Sequence, residues 1–256
     1  MENFSGKVVV ITGGTRGIGA ATAQRFAQLG ATVIALYRNN QQQAAAQKVT
    51  LQQLGPQAKH QVVQCDITES EALAEQFQAI VTQHGRLDIL VNNAGIGPYH
   101  PLPSTDFKTW QQVWSDTLQT NLIAVANSCF LAAEIMREQG QGHIINVSSR
   151  GAFRGEPDKP AYGASKAAVN ALTQSLAASL GTSNIAVAGV APGFVDTELT
   201  AAKLEGPEGD AIRSQSPFNR VATASDVANA IVYLASDAAT FCSGTIIDVN
   251  GASYFR

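Results

Sequence analysis

Seven short runs rich in β-branched and apolar residues recur along the chain, at 7–12 (KVVVIT), 32–36 (TVIAL), 61–65 (QVVQC), 87–92 (LDILVN), 143–148 (HIINVS), 185–190 (IAVAGV) and 245–249 (TIIDV). Each is apolar at successive positions, hence on both faces of a strand, whereas strict alternation would mark a sheet wet on one side. Between them, apolar residues return at three- and four-residue intervals over 20–29, 69–84, 107–137, 161–180 and 224–234, which predicts helices. Glutamines and alanines at 41–53 read as one more helix, largely solvated. Strands apolar on both faces that alternate with helices require a parallel sheet covered on both sides, because each crossover lays a helix over one face. The pattern predicts an α/β fold: a doubly wound parallel sheet of about seven strands in a single domain over residues 1–256.

In such sheets ligands sit beyond the carboxyl ends of the strands, where the strand order reverses. The residues there are unusual: Thr12-Gly13-Gly14 follows the first run, Asp66 the third, Asn92-Asn93-Ala94-Gly95 the fourth, Ser148-Ser149 the fifth and Pro192-Gly193 the sixth. The segment 194–220, with prolines, glycines and mixed charge, reads as a mobile substrate lid.

Composition narrows the class. Charged residues make up 14% of the chain against a typical share of about 25%, and hydrophobic ones 45%, which excludes a disordered chain. The formal charge is -3 with no run of like charge, so there is no broad footprint for nucleic acid and any anion must be bound locally. Cys65, Cys129 and Cys242 are an odd count without zinc spacing; they read as reduced core thiols, with no metal and a cytoplasmic location. The start, Met-Glu-Asn-Phe-Ser-Gly-Lys, lacks the charge and apolar run of a signal peptide. The charge-free stretches 117–133 and 167–195 are broken by Gln119, Asn121 and Asn127, and by Gly181, Asn184 and Pro192, so no membrane span is expected.

Three motifs carry chemistry. TGGTRGIG at 12–19 puts Gly13, Gly17 and Gly19 at a strand-to-helix turn, where glycine allows a phosphate to approach the backbone and the helix offers unpaired amides. Without the Gly-Lys-Ser/Thr ending of a triphosphate loop, it favours a dinucleotide; the plain alternative is a tight turn with no ligand. Tyr37-Arg38 stands about 20 residues on, where a ribose-reading residue belongs. An arginine there can pair with a 2′-phosphate, so the residues favour NADP, with Arg16 a second cation; otherwise Arg38 is an exposed loop arginine. Tyr162-Gly-Ala-Ser-Lys166 sets a phenol and an ammonium one helical turn apart. The ammonium favours the phenolate, which makes Tyr162 a general acid.

TGGTRGIG, Asn92-Asn93-Ala94-Gly95, Asn121, Ser149 thirteen residues before Tyr162, Lys166 and Pro192-Gly193 with Thr197 together closely resemble the short-chain dehydrogenase/reductase family, in order and spacing over nearly the whole chain. The resemblance implies a Rossmann-like fold with Asn121, Ser149, Tyr162 and Lys166 catalytic. Tyr162 would exchange a proton with the substrate oxygen and Ser149 would hydrogen-bond it. Lys166 would hold the nicotinamide ribose and depress the phenol pKa, and Asn121 would anchor a water. Ser148 is chemically as good a hydroxyl as Ser149; only the family spacing selects between them. The cofactor would meet Gly13, Thr15, Arg16, Gly17, Ile18 and Gly19 in the turn, Tyr37 and Arg38 at the ribose, Asp66 and Ile67 at adenine, and Asn93 with Ala94 and Gly95. It would also meet Pro192, Gly193, Val195 and Thr197 at the nicotinamide and phosphates. The ending Val249-Asn250-Gly251-Ala252 departs from the family's usual Val-Asp-Gly-Gly.

The expected activity is hydride transfer between NADP(H) and a carbonyl or secondary alcohol of a small or medium molecule. The alternatives are a 3-ketoacyl-(acyl carrier protein) reductase and a non-catalytic NADP-binding sensor. Segments that would carry a basic docking patch, Gln139–Gly142 and Gly181–Asn184, have Arg137 as their one nearby cation, which weighs against a carrier-bound substrate. Helices as free of charge as those in the stretches 117–133 and 167–195 need cover on more than one face, so a homo-oligomer, by the resemblance a tetramer, is expected.

Overall fold

A computed structural model describes residues 3–198 and 200–256. The first apolar run forms β1 (Val8–Thr12), buried at all five positions because it is sandwiched between parallel neighbours and covered on both faces. The chain continues through α1 (Gly17–Gln28), β2 (Thr32–Tyr37), α2 (Gln41–Leu54), β3 (Gln61–Gln64), α3 (Ser70–His84) and β4 (Ile89–Asn92). Next come α4 (Phe107–Leu118), a π-helical turn (Gln119–Ile123), α5 (Ala124–Gln139), β5 (Gly142–Val147), α6 (Gly151–Arg154), α7 (Pro160–Leu180) and β6 (Ile185–Pro192). Then follow β7 (Val195–Asp196), α8 (Ala201–Glu205), α9 (Gly209–Arg213), β8 (Ala222–Thr223), α10 (Ala224–Leu234) and β9 (Ile246–Val249).

Seven strands form one parallel sheet, as the pattern predicts, and their order is β3-β2-β1-β4-β5-β6-β9. Successive β1 side chains enter opposite cores. Val9 and Ile11 pack with Ala23 and Phe26 of α1 and Val227 and Ile231 of α10, while Val8 and Val10 pack with Phe77 of α3 and Met136 of α5. The order reverses between β1 and β4, where Thr12 stands opposite Asn92, so the glycine turn and the Asn92–Gly95 stretch leave the sheet side by side.

Two local outcomes bear on the site. The single helix expected over 107–137 is interrupted by the π-helical turn, which places Asn121 in the buried interior of an otherwise α-helical run. By length and mean hydropathy Phe107–Gln139 is long and apolar enough to cross a membrane, although the shorter stretch 117–133 reads otherwise; here it turns Val125, Cys129 and Met136 into the core. The segment 194–220 holds β7, α8 and α9, and a short parallel ladder, Val195 with Ala222 and Asp196 with Thr223, ties its two ends together.

Candidate active site

The glycine turn is stapled to the end of β4. The Asn93 side-chain amide donates to the Thr12 and Gly13 carbonyl oxygens, both at 3.0 Å, and the Thr12 hydroxyl accepts from the Asn93 and Ala94 amides at 3.0 and 3.1 Å. A Cβ on Gly19 would overlap the Gly13 carbonyl oxygen, and Gly13 itself has φ +64° with Asn93 Nδ2 3.0 Å from the place of a Cβ. Side chains are thus excluded at Gly13 and Gly19 of the turn. No side chain caps α1 at Arg16, so the amides of its first turn keep their donors for a ligand. An uncapped helix start behind a cradle that only glycine can line fits a pyrophosphate. Thr15 is buried, Ile18 is half-buried and packs on the core, and Arg16 is exposed.

Because β2 pairs in parallel with β3, the residues after them meet at one edge: Arg38 Nε stands 4.0 Å from Asp66 Oδ2. The Arg38 side chain is about half exposed beside half-buried Tyr37, and Asp66 also accepts from the Thr68 amide and hydroxyl. Ile67 is buried. On the other side, the Pro192 carbonyl accepts from Arg150 N at 2.8 Å, Gly193 N donates to Val249 O at 3.1 Å, Val195 is buried, and the Thr197 methyl lies 3.3 Å from where a Gly17 Cβ would stand. The first lid turn therefore leans on the glycine turn.

The two serines after β5 part company. Ser148 is buried and its hydroxyl donates to the Lys166 carbonyl at 3.3 Å. Ser149 Oγ accepts from Gly151 N at 3.0 Å and is near enough to the Tyr162 hydroxyl to favour its ionised form. Sequence chemistry leaves the pair open; the geometry puts Ser149 on the phenol. Burial pushes the Tyr162 phenol above its ordinary value, the Ser149 hydroxyl opposes this, and the charge of Glu156 adds to the rise. The lowered phenol pKa that the resemblance implies is not what this arrangement produces. Lys166 Nζ stands 5.9 Å from the Tyr162 ring centroid and donates instead to the Val147 carbonyl at 2.7 Å. Burial of that ammonium lowers its own pKa to about 8.

Asn121 clamps the loop after β4: its Oδ1 accepts from Ile96 N and its Nδ2 donates to Ile96 O, both at 2.8 Å, while Nδ2 also donates to Ser165 Oγ at 3.0 Å. The loop then passes so close that a Cβ on Gly95 would stand 3.2 Å from Asn121 Oδ1 and 3.4 Å from Lys166 Nζ. Asn121, Ser149, Tyr162 and Lys166 are brought together in this way from three segments: the π-helical turn, the loop after β5 and α7.

Two contributors go beyond the sequence motifs, although Asn92 itself belongs to one of those motifs. His100, 1% exposed, accepts the Ala161 amide on Nε2 at 3.2 Å, while its own amide donates to Asp158 O at 2.9 Å, which fixes the start of α7 one residue before Tyr162. A buried polar chain, Asn92 Nδ2 to Asn146 Oδ1 and Asn146 Nδ2 to Thr173 Oγ1, both at 2.9 Å, ties β4 and β5 to α7 beneath the site. Lone polar residues in a loop and inside apolar strands have no period to betray them. Among the aromatic residues near the site, Tyr99 is exposed, Phe153 lies under the Arg256 guanidinium and Phe194 under that of Arg150.

Comparison with known proteins agrees with this geometry. A family model described as Enoyl-(Acyl carrier protein) reductase matches residues 13–252. The chain belongs to the short-chain dehydrogenase/reductase family, whose members are oxidoreductases that bind a nicotinamide cofactor. It is 39% identical over 248 residues to the 3alpha-hydroxysteroid dehydrogenase of Mediterraneibacter gnavus, covering 96% of each chain. It is 31% identical to the 3-oxoacyl-(acyl-carrier-protein) reductase of Chlamydia trachomatis, again covering 96% of each. Among solved structures, a short-chain type dehydrogenase/reductase from Mycobacterium ulcerans superposes with a TM-score of 0.92 at 31% identity, over 98% of this chain and 90% of that one.

Proposed function

We propose that the protein is an NADP-dependent carbonyl reductase or secondary alcohol dehydrogenase acting on a free small or medium substrate. The observation that carries the reading is the placing of Ser149 where it acts on the Tyr162 phenol, one helical turn from the buried ammonium of Lys166. When bound, the nicotinamide supplies or takes up the hydride at the carbonyl carbon. The Ser149 hydroxyl, held by Gly151 N, orients the substrate oxygen, and Tyr162 gives that oxygen its proton in reduction. A phenol kept protonated by burial is in the right state for that direction. Lys166 sits where it can meet a ribose and the phenol, and Asn121 holds the loop that frames them.

Preference for NADP rests on Arg38, half exposed at the end of β2, with Arg16 a second cation. The segment 194–220 is proposed as the lid and residues 1–256 as one domain. A homo-oligomer, by resemblance a tetramer, is supported by exposed Ile123 and Phe130, seven residues apart on one face of the long helix. The free, buried thiols of Cys65 and Cys129 support a cytoplasmic location. NADPH oxidation followed by absorbance against ketones, sugars, steroids and acyl thioesters tests the reading, and absence of turnover on every class would leave the sensor alternative. The 3-oxoacyl reductase relatives favour a second reading, a carrier-bound 3-ketoacyl thioester. It takes precedence if such a thioester is reduced with kcat/KM far above every free ketone and the advantage fades with salt.

A further inference from the structure

Beside the Pro192–Gly193 segment lies a second cavity, of about 260 Å³, to which none of Asn121, Ser149, Tyr162 and Lys166 contributes. Its walls come from the lid, from β8 and from the turn after β9. Charge decides what it can take. Arg220 is paired with Asp226 and Asp248 with Arg256, each at 2.8 Å, so these wall residues neutralise one another or their neighbours. Arg150 is different: it is 3% exposed, and among the described residues no carboxylate lies within 4 Å of it. The other charges it feels, Arg154 and Glu156, are opposite in sign and paired with each other at 3.9 Å.

The Arg150 guanidinium lies 5.5 Å from the Phe194 ring centroid and donates to Ser253 Oγ at 2.5 Å and Gln215 Oε1 at 3.0 Å, both neutral acceptors. A guanidinium cannot shed its charge, and a buried cation without a counter-ion is costly. Its five donors form a fork that matches the two oxygens of a carboxylate. The rest of the lining mixes apolar side chains, Phe194, Ile212, Val221 and Val249 among them, with polar ones such as Ser216 and Asn250 and the paired charges.

We propose that this cavity is a binding site for a small amphipathic monocarboxylate, with the carboxylate on Arg150 and the apolar body against Phe194, Ile212 and Val249. The volume falls just below the range of about 300–1,000 Å³ for drug-sized ligands, which selects a short aliphatic or single-ring acid. One uncompensated positive charge matches one carboxylate. Because the walls belong to the lid and the Arg150 amide holds Pro192 O, an occupant ties the lid to the edge of the catalytic cleft. The acid has two sources: the far end of the molecule turned over at Tyr162, or a separate ligand.

Calorimetric titration of hexanoate and benzoate into the full chain, with hexanamide and benzamide as uncharged controls, tests the site without any turnover. The acids are expected to bind at least tenfold more tightly than the amides. Arg150→Gln is expected to weaken them about tenfold to a hundredfold, as loss of charge-assisted hydrogen bonds implies. Ala222→Leu, which keeps the arginine and fills the cavity, should weaken acids too, so a misfolded Arg150→Gln chain does not leave the question open. Competition of benzoate with the reduced ketone would assign the acid to the substrate's far end, and saturable binding without competition would assign a separate ligand. Acids and amides binding alike, or acid affinity untouched by a folded variant, would overturn the proposal.

Discussion

Lys166 is 4% exposed, its ammonium donates to the Val147 carbonyl, and burial lowers its pKa to about 8. A lysine in the unfolded chain titrates near pH 10.4. Between those values the unfolded chain holds a proton that the folded one has released, so stability rises with pH across the window, from about pH 8 to about pH 10.4. One proton is worth at most about 1.4 kcal/mol per pH unit, which sums to about 3 kcal/mol. Lys166→Met keeps an apolar stem and removes the titration. Urea unfolding of both proteins, at fixed protein concentration and in half-unit steps from pH 7.5 to 10.5, gives the difference in unfolding free energy. The wild type is expected to gain about 3 kcal/mol on the variant across that range. Cys65, Cys129 and Tyr162, all raised by burial, act with the opposite sign at higher pH and are common to both chains, so they drop out of the difference. Parallel stability curves would refute the assignment of a costly buried ammonium.

Tyr162→Phe is expected to lower turnover by about 10²- to 10⁴-fold with NADPH affinity nearly unchanged, measured by steady-state kinetics and fluorescence titration; near-full activity would remove it as proton donor. Since burial raises the phenol above its ordinary value of about 10, alcohol oxidation should keep rising with pH beyond about pH 10 as the phenolate appears, while ketone reduction should fall there, a pair of pH profiles that Ser149→Ala should displace to higher pH. Gly19→Ala should abolish cofactor binding in a calorimetric titration, because its Cβ would overlap the Gly13 carbonyl; ordinary affinity would show that the turn yields. Replacing Tyr37-Arg38 by Asp-Ile should weaken NADPH by about tenfold to a hundredfold and help NADH, and a wild type indifferent to the two cofactors would discard the role of Arg38.

Much of the fold was legible in the chain because burial on both faces of a parallel strand leaves a run that needs no partner to be recognised: β1, β4 and β6 stand where their apolar runs stand. The motifs were legible for a related reason. A glycine turn, and a tyrosine and lysine four residues apart on α7, are local patterns whose geometry the backbone alone sets. What lay outside the sequence depends on contacts between residues far apart in it. The choice of Ser149 over Ser148 follows from which hydroxyl faces α7's backbone and which its phenol. The π-helical turn at Asn121 answers the Ile96 backbone 25 residues away, and His100 serves the start of α7 from 61 residues away. The raised phenol pKa and the isolated charge of Arg150 belong to the same class. Spacing puts charged groups near one another, but burial decides their free energy, and burial exists only once the sheet, the helices and the lid have closed around them.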